Sequence, residues 1–275
     1  MIYGGVVWLA PEARLAETVQ RLRNENSHEN TQASTPRGHH KRLIHRKVRP
    51  ATQNRGYVSF TRYKQIISKE ANVSDQQKPH WQPTDLIQEA FDVATIKHSD
   101  GVRKGTSIPY ISHLMAVSAL VIEHGGTEVQ AAAGLLHDLM EDTDLKDEFL
   151  ISALVGSDVT AIIVSCSDTS EDPKPPWRER KEKYLVHLRE MISQPNLDPA
   201  ILVALADKVH NAETTANMVL LDGLTAEEIF LLGTFNANAS EQKWWYSSLV
   251  TEFRKTTVAP KLVERLDRAV KVIFK

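Results

Sequence analysis

The stretch GLLHDLMEDT, residues 134–143, sets a His, two Asp and a Glu on a segment whose Leu135, Leu136 and Leu139 recur at helical spacing. Such charges are either a solvated flank or a site held against a core. Two other segments carry the same conflict: His113 lies in YISHLMAV and Asp207 in LVALADKVHN, each an ionisable residue among apolar neighbours. Burying any of them unpaired is costly. The cost falls away when neutral imidazoles and ionised carboxylates converge on a divalent cation, and two nitrogens with two oxygens suit Mn, Fe, Zn or Ni. Taken singly, each residue has a blander reading: a hydrogen-bonded core histidine, or an Asp beside a surface Lys. The combination favours a site. Adjacent His137 and Asp138 lie about 100° apart around a regular helix, yet side chains of different length can both lean toward one ion between helices.

Glu141 follows His137 by four residues and Asp142 follows Asp138 by four, so both carboxylates project from the same side of the helix, one turn along. At a helix C-terminus they oppose the macrodipole, which weighs against a purely structural role. The elements that must hold these residues are helices. Asp85 with Gln88 resembles a capping box, and Leu86, Ile87, Ala90, Phe91 and Ala94 follow as a buried stripe, predicting a helix over about 85–98. SDGVRKGTSIPY is loop, and the helix of His113 is stopped by Gly125 and Gly126. Thr127 with Gln130 caps the helix that carries the opening motif. Further helices are expected at about 146–155, 158–166, 177–193, 199–218 and 237–254, the fourth of these with Asp198 as cap and Pro199 at its first position. No segment alternates as a strand, and no fixed-period repeat occurs. The expected fold class is all-α: an irregular multi-helix bundle preceded by a basic, loosely attached extension.

The 275 residues and 41% hydrophobic content suit a globular core with an added segment. A single cysteine, Cys166, excludes an internal disulfide and a thiolate zinc site, and it fits a reducing cytoplasm. The N-terminal MIYGGVVWLAPEA lacks a basic leader and is too short to span a bilayer, so no membrane association is expected. The net charge of −2 hides an asymmetry: residues 1–83 hold 14 Lys and Arg against 6 Asp and Glu, whereas the remainder holds 19 against 29. The predicted boundary therefore falls between residues 83 and 84. Residues 24–53 are polar, basic and without apolar periodicity, which reads as a solvated tail or linker. Contact with nucleic acid or the ribosome is the alternative use of that segment, although no aromatic interleaving accompanies it. Residues 56–70 are ambiguous between strand and helix.

The order His … His-Asp … Asp, with the segments AFDVATIKHSDGVRKGTSIPYISHLMAV, AAAGLLHDLMEDT and LVALADKVHNAET, resembles the HD-superfamily hydrolase domain of RelA/SpoT proteins. DPKPPWRERKEKYLVHL and KWWYSSLV extend the likeness to stand-alone small alarmone hydrolases, so it covers roughly residues 85–255. The resemblance implies an HD-domain bundle with one Mn ion, other divalent transition metals being alternatives, held by His113, His137, Asp138 and Asp207. It implies a guanosine tetra- or pentaphosphate substrate whose 3′-diphosphate leaves as pyrophosphate, with Glu141 and Asp142 orienting or deprotonating the attacking water. A polyphosphate needs cations in a domain whose own balance is negative. Arg103 and Lys104 match the family's basic pair, Lys174, Arg178, Arg180 and Lys181 supply a second cluster, Asn211 matches a nucleotide contact, and Tyr246, with Trp244 as the alternative, is the aromatic candidate unless it packs in the core. His210 is expected as packing or support for the ligands, and His98, His124 and His187 at the surface or helix ends. The same metal site would serve an adenosine alarmone, NADPH or a nucleoside monophosphate, and a non-catalytic nucleotide-binding module is a third reading.

Overall fold

The computed structural model describes residues 2–3, 6–7 and 79–275, apart from 170, 172, 195–197 and 232–234. The expectations for residues 24–53 and 56–70 lie outside the described residues. The chain divides into two compact units, Asn24–His80 on one hand and Met1–Arg23 with Trp81–Lys275 on the other. At the N-terminus β1 (Ile2–Tyr3) pairs antiparallel with β2 (Val6–Val7), Ile2 opposite Val7 and Tyr3 opposite Val6. Two residues are too few to show a period of two, which is why alternation did not find this pair.

All other regular elements among the described residues are helices. α1 spans Asp85–Lys97, α2 Ile111–Glu123 and α3 Glu128–Leu136; α4 Leu139–Asp142, α5 Glu148–Val155 and α6 Ser157–Cys166 follow. α7 covers Trp177–Ser193, α8 Ala200–Leu221, α9 Ala226–Leu231, α10 Ala239–Phe253 and α11 Pro260–Ile273. The cap of α1 is Thr84 rather than Asp85: the Thr84 hydroxyl accepts from Leu86 N at 3.2 Å, and Gln88 donates to Asp92 instead of closing a box. Thr84 wins because its hydroxyl can also donate, to Glu128 Oε2 at 3.0 Å, while its N–H meets Glu128 Oε1 at 2.6 Å. One residue thus starts α1 and ties it to α3. The box of Thr127 and Gln130 forms on both sides as expected.

α8 is the axis of the bundle. Its residues Ala200 through Asp207 are all buried, and a helix apolar on every side must be surrounded. It packs on α11 along one flank and on α2, α3 and α6 along others. It begins one residue later than expected, Pro199 standing at the cap position while Asp198 Oδ1 accepts from Ala200 N at 2.8 Å. The sequence reading missed α9 and α11. α11 buries Leu262, Val263, Leu266, Ala269, Val270 and Ile273 at three- and four-residue spacing behind Pro260 in its first turn, and it closes the bundle against α8 and α10.

Two close approaches fix where the site lies. α2 and α3 pass so near each other that a Cβ on Gly134 would stand 3.0 Å from Ser118 Cα, and the Ser118 hydroxyl donates across the gap to Ala131 O at 2.8 Å. The opening motif is not one helix but two. α3 ends at Leu136, Asp138 takes φ −93° and ψ 3°, and α4 starts at Leu139. No described helix is long and apolar enough to cross a membrane.

Candidate metal centre

The break between α3 and α4 is what lets adjacent residues serve one point. On a continuous helix His137 and Asp138 would diverge; here His137 Nε2 and Asp138 Oδ2 come within 3.0 Å. His113, in the first turn of α2, brings its Nε2 to 3.6 Å from Asp138 Oδ2 and 3.2 Å from Asp207 Oδ1. His137 Nε2 lies 3.5 Å from the same Asp207 oxygen. One ligand atom each from His113, His137 and Asp207 falls within 4.8 Å of the others, and all three residues are buried. The four residues assigned as ligands in the sequence therefore meet, from α2, the α3–α4 break and the middle of α8.

Neighbouring groups hold each of the four in place. His137 Nδ1 bonds Gly134 O at 2.9 Å and His113 Nδ1 bonds His210 Nδ1 at 2.7 Å. The Tyr110 hydroxyl donates to Asp138 Oδ2 at 2.5 Å; Lys208 Nζ reaches Asp207 Oδ2 and Asn211 Nδ2 reaches Asp207 Oδ1, both at 2.6 Å. That leaves the Nε2 atoms of His113 and His137 buried with no hydrogen-bond partner. Two orphaned imidazole nitrogens beside two carboxylates fit a divalent transition metal. Within the protein alone, burial opposes charge on His137, but Asp138 and Asp207 outweigh it and hold the ring's pKa well above its ordinary value. Burial likewise works against the Asp207 carboxylate, and Lys208 with the two histidines keeps it well below the carboxylate range.

The centre lies at the floor of a cleft of about 880 Å³, lined among others by Arg103, Lys104, Tyr110, Glu141, Lys181 and Tyr246. Glu141 points one oxygen at the backbone N–H of Asp168, 2.5 Å away. Burial first, and then the charge of Asp138, push its pKa up to about 7. Asp168 is itself clamped, its Oδ2 taking Arg180 and, at 2.8 Å, Lys181. Asp142 sits at the rim, paired with Lys174 at 3.1 Å, with both side chains nearly half exposed. Arg103 donates to Asn211 Oδ1 at 2.7 Å, so a chain of hydrogen bonds runs from the cleft wall through Asn211 to Asp207. Tyr246 is buried on the wall, and burial pushes its hydroxyl up to about 12. Arg178 is placed otherwise: it stacks on Trp244, 3.4 Å from the ring centroid, pairs with Glu182 at 2.8 Å, and is not among the residues lining the cleft. Arg180, two residues on and buried, lines it instead.

Several contributors escaped the sequence reading. Tyr110 carried no signal beyond its place three residues before His113. Asp168 meets Arg180 and Lys181 only because the loop before α7 folds back, which no local pattern announces. His98 caps the end of α1 as expected, but it is buried, 7% exposed, and its ring stacks on Tyr110 at 5.2 Å. Cys166 is buried, and burial raises its thiol far from any nucleophilic range.

Residues 90–227 match the family model described as HD domain. A probable guanosine-3′,5′-bis(diphosphate) 3′-pyrophosphohydrolase of Synechocystis sp. is 35% identical over 147 residues, 53% of this chain and 18% of that protein. The bifunctional (p)ppGpp synthase/hydrolase SpoT of Escherichia coli is 30% identical over 133 residues, 48% of this chain and again 18% of the relative. The chain thus spans about a fifth of the length of these curated relatives. A solved structure described as a metazoan orthologue of SpoT that hydrolyses ppGpp shares the fold at TM-score 0.54 and 23% identity, over 70% of this chain and 97% of that one. With half of its length matched, including His113, His137, Asp138 and Asp207, the chain belongs to the HD-domain family.

Proposed function

We propose that the protein is a Mn-dependent guanosine 3′,5′-bis(diphosphate) 3′-pyrophosphohydrolase, converting (p)ppGpp to GDP or GTP and pyrophosphate. The observation that carries this reading is the pair of orphaned imidazole nitrogens beside two carboxylates, at the floor of a cleft with cationic walls. The names of the relatives support the substrate, and the bifunctional one is so called for two activities. A His/Asp cluster with a buried carboxyl suits the hydrolytic of the two. His113, His137, Asp138 and Asp207 would hold the ion. When bound, it would offset phosphate charge and favour ionisation of a water.

The chain's own residues supply the rest. Glu141, held near neutrality and oriented by Asp168 N–H, takes a proton from the water. The water oxygen bonds the phosphorus on the ribose 3′ oxygen, the bond from that phosphorus to the 3′ oxygen breaks, and the 3′ oxygen leaves as a hydroxyl with the proton that Glu141 took up and returns. Arg103 and Lys104 on one wall and Lys174, Arg180 and Lys181 on the other bind phosphate, with Asp142 steering Lys174. Asn211 and Tyr246 contact the nucleoside. Arg178 serves by packing on Trp244 rather than by reaching phosphate.

Metal-free protein restored with Mn should release GDP and pyrophosphate from guanosine tetraphosphate in equal amounts. Turnover confined to an adenosine alarmone, NADPH or a nucleoside monophosphate would move the substrate and keep the centre. Nucleotide binding without turnover would make the chain a regulatory module.

A further inference from the structure

His210 stands one turn before Thr214 on α8 and was expected only to pack or lend support. Its Nδ1 lies 2.7 Å from His113 Nδ1, with the rings 4.8 Å apart and tilted by 39°. A short contact between two imidazole nitrogens requires one proton between them, so one ring donates and the other accepts. Resting on the metal-centre reading above, the direction is determined: His113 must keep a bare lone pair on Nε2, so its proton sits on Nδ1 and is donated to His210. His210 then accepts at Nδ1 and carries its own proton on Nε2. We propose that His210 is a positioning residue that locks His113 in the metal-binding tautomer and turns an N–H donor toward the substrate in the cleft.

The surroundings agree. His113 is fully buried, so no water can take over the role of acceptor at Nδ1. His137 has the same arrangement with a different acceptor, Gly134 O, which cannot donate and so fixes that ring outright. His113 lacks a carbonyl there and depends on another side chain. His210 lines the cleft whereas His113 does not, and among the described residues its Nε2 makes no hydrogen bond. Arg103 and Asn211 share that wall, so the free N–H faces the place where phosphate oxygens are expected.

Two variants of the full chain separate tautomer control from packing. His210→Phe keeps the ring volume and removes the acceptor, whereas His210→Asn keeps a carbonyl acceptor for His113 and removes the Nε2 donor. Calorimetric titration of metal-free protein with Mn should give an affinity 10–100-fold weaker for the Phe variant and within a few-fold of wild type for the Asn variant. Inorganic pyrophosphate, titrated into the Mn-loaded Asn variant, should bind about tenfold more weakly than to wild type. Equal Mn affinity in the Phe variant and wild type, or equal loss in both variants with unchanged unfolding midpoints, overturns the proposal. Unchanged pyrophosphate binding in the Asn variant removes the substrate-facing half. A wild type that takes up no Mn refutes the metal centre itself, and the tautomer assignment with it.

Discussion

Glu141→Gln should make the metal-free protein more stable, by an amount that depends on pH. Burial and Asp138 lift the Glu141 carboxyl from 4.5 to about 7. The sign follows from proton counting. Between those values the unfolded chain has lost the proton and the folded one keeps it, so wild-type stability falls as pH rises from 4.5 to 7 and stays lowered above. At 1.36 kcal/mol per pKa unit the accumulated loss is about 3 kcal/mol. Gln is neutral throughout and retains an oxygen for the Asp168 N–H, so the variant escapes the loss without leaving that donor unpaired. Urea unfolding in chelator at pH 5 and pH 8 measures it. The variant should match wild type within about 1 kcal/mol at pH 5 and exceed it by about 3 at pH 8, with the slope against urea unchanged. Added Mn should shrink the gap, because a cation nearby favours the carboxylate. A variant less stable than wild type at pH 8, or equally shifted at both pH values, would refute the argument that this carboxyl is held at a cost.

The same Glu141→Gln variant should still bind Mn, more weakly than wild type because it lacks the carboxylate that the cation favours, and lose turnover, whereas Asp138→Asn should lose Mn and turnover together; calorimetry alongside the pyrophosphate assay distinguishes them, and an active Asp138→Asn protein would sink the ligand assignment. Gly134→Ala forces a Cβ to 3.0 Å from Ser118 Cα, pushing α2 from α3, so it should cost about 1–3 kcal/mol in urea unfolding and weaken Mn binding by separating His113 from His137. Lys174→Ala removes an exposed partner of Asp142 and should change stability by less than about 1 kcal/mol while raising KM, read from the same unfolding curves and from steady-state kinetics.

The buried cluster was legible because burying charge is exceptional: His113, His137 and Asp207 each interrupt an apolar run, and such an interruption is informative without any partner in view. Asp138 was legible only as a neighbour of His137, and the reason it can join them, the interruption between α3 and α4, was not. A break of two residues leaves the 3.6-residue pattern of GLLHDLMEDT intact on both sides, so periodicity reads it as one helix. The cap of α1 was misplaced for a comparable reason, since Thr84 is selected by Glu128, 44 residues away. α11 differs. Its stripe recurs at regular three- and four-residue spacing, but no ionisable residue interrupts it, so it carried no sign of the site. Arg178 and Arg180 show the limit of composition: the sequence groups them in one basic cluster, but residues two apart on a helix face different ways, one to Trp244 and one to Asp168.

The site is also the place where the fold gives up stability. Among the described residues the buried side-chain polar atoms without a hydrogen-bond partner gather at this centre: the Nε2 atoms of His98, His113 and His137 and one Asp168 oxygen, beside a carboxyl raised to about 7. Unpartnered buried polar atoms cost about 1–3 kcal/mol each, and a domain has only about 5–15 kcal/mol in all. Buried polar atoms without partners are exceptional in a folded protein, and their gathering at one centre is what marks it as the candidate functional site. The close contact of α2 and α3 at Gly134 has the same logic. A Cβ there would press on the Ser118 backbone, so the glycine lets α2 and α3 close on each other and thereby keeps His113 beside His137. The flank where α11 packs on α8 and α10 holds none of these unpartnered atoms; its one local conflict is Ala259, at φ 44° before α11.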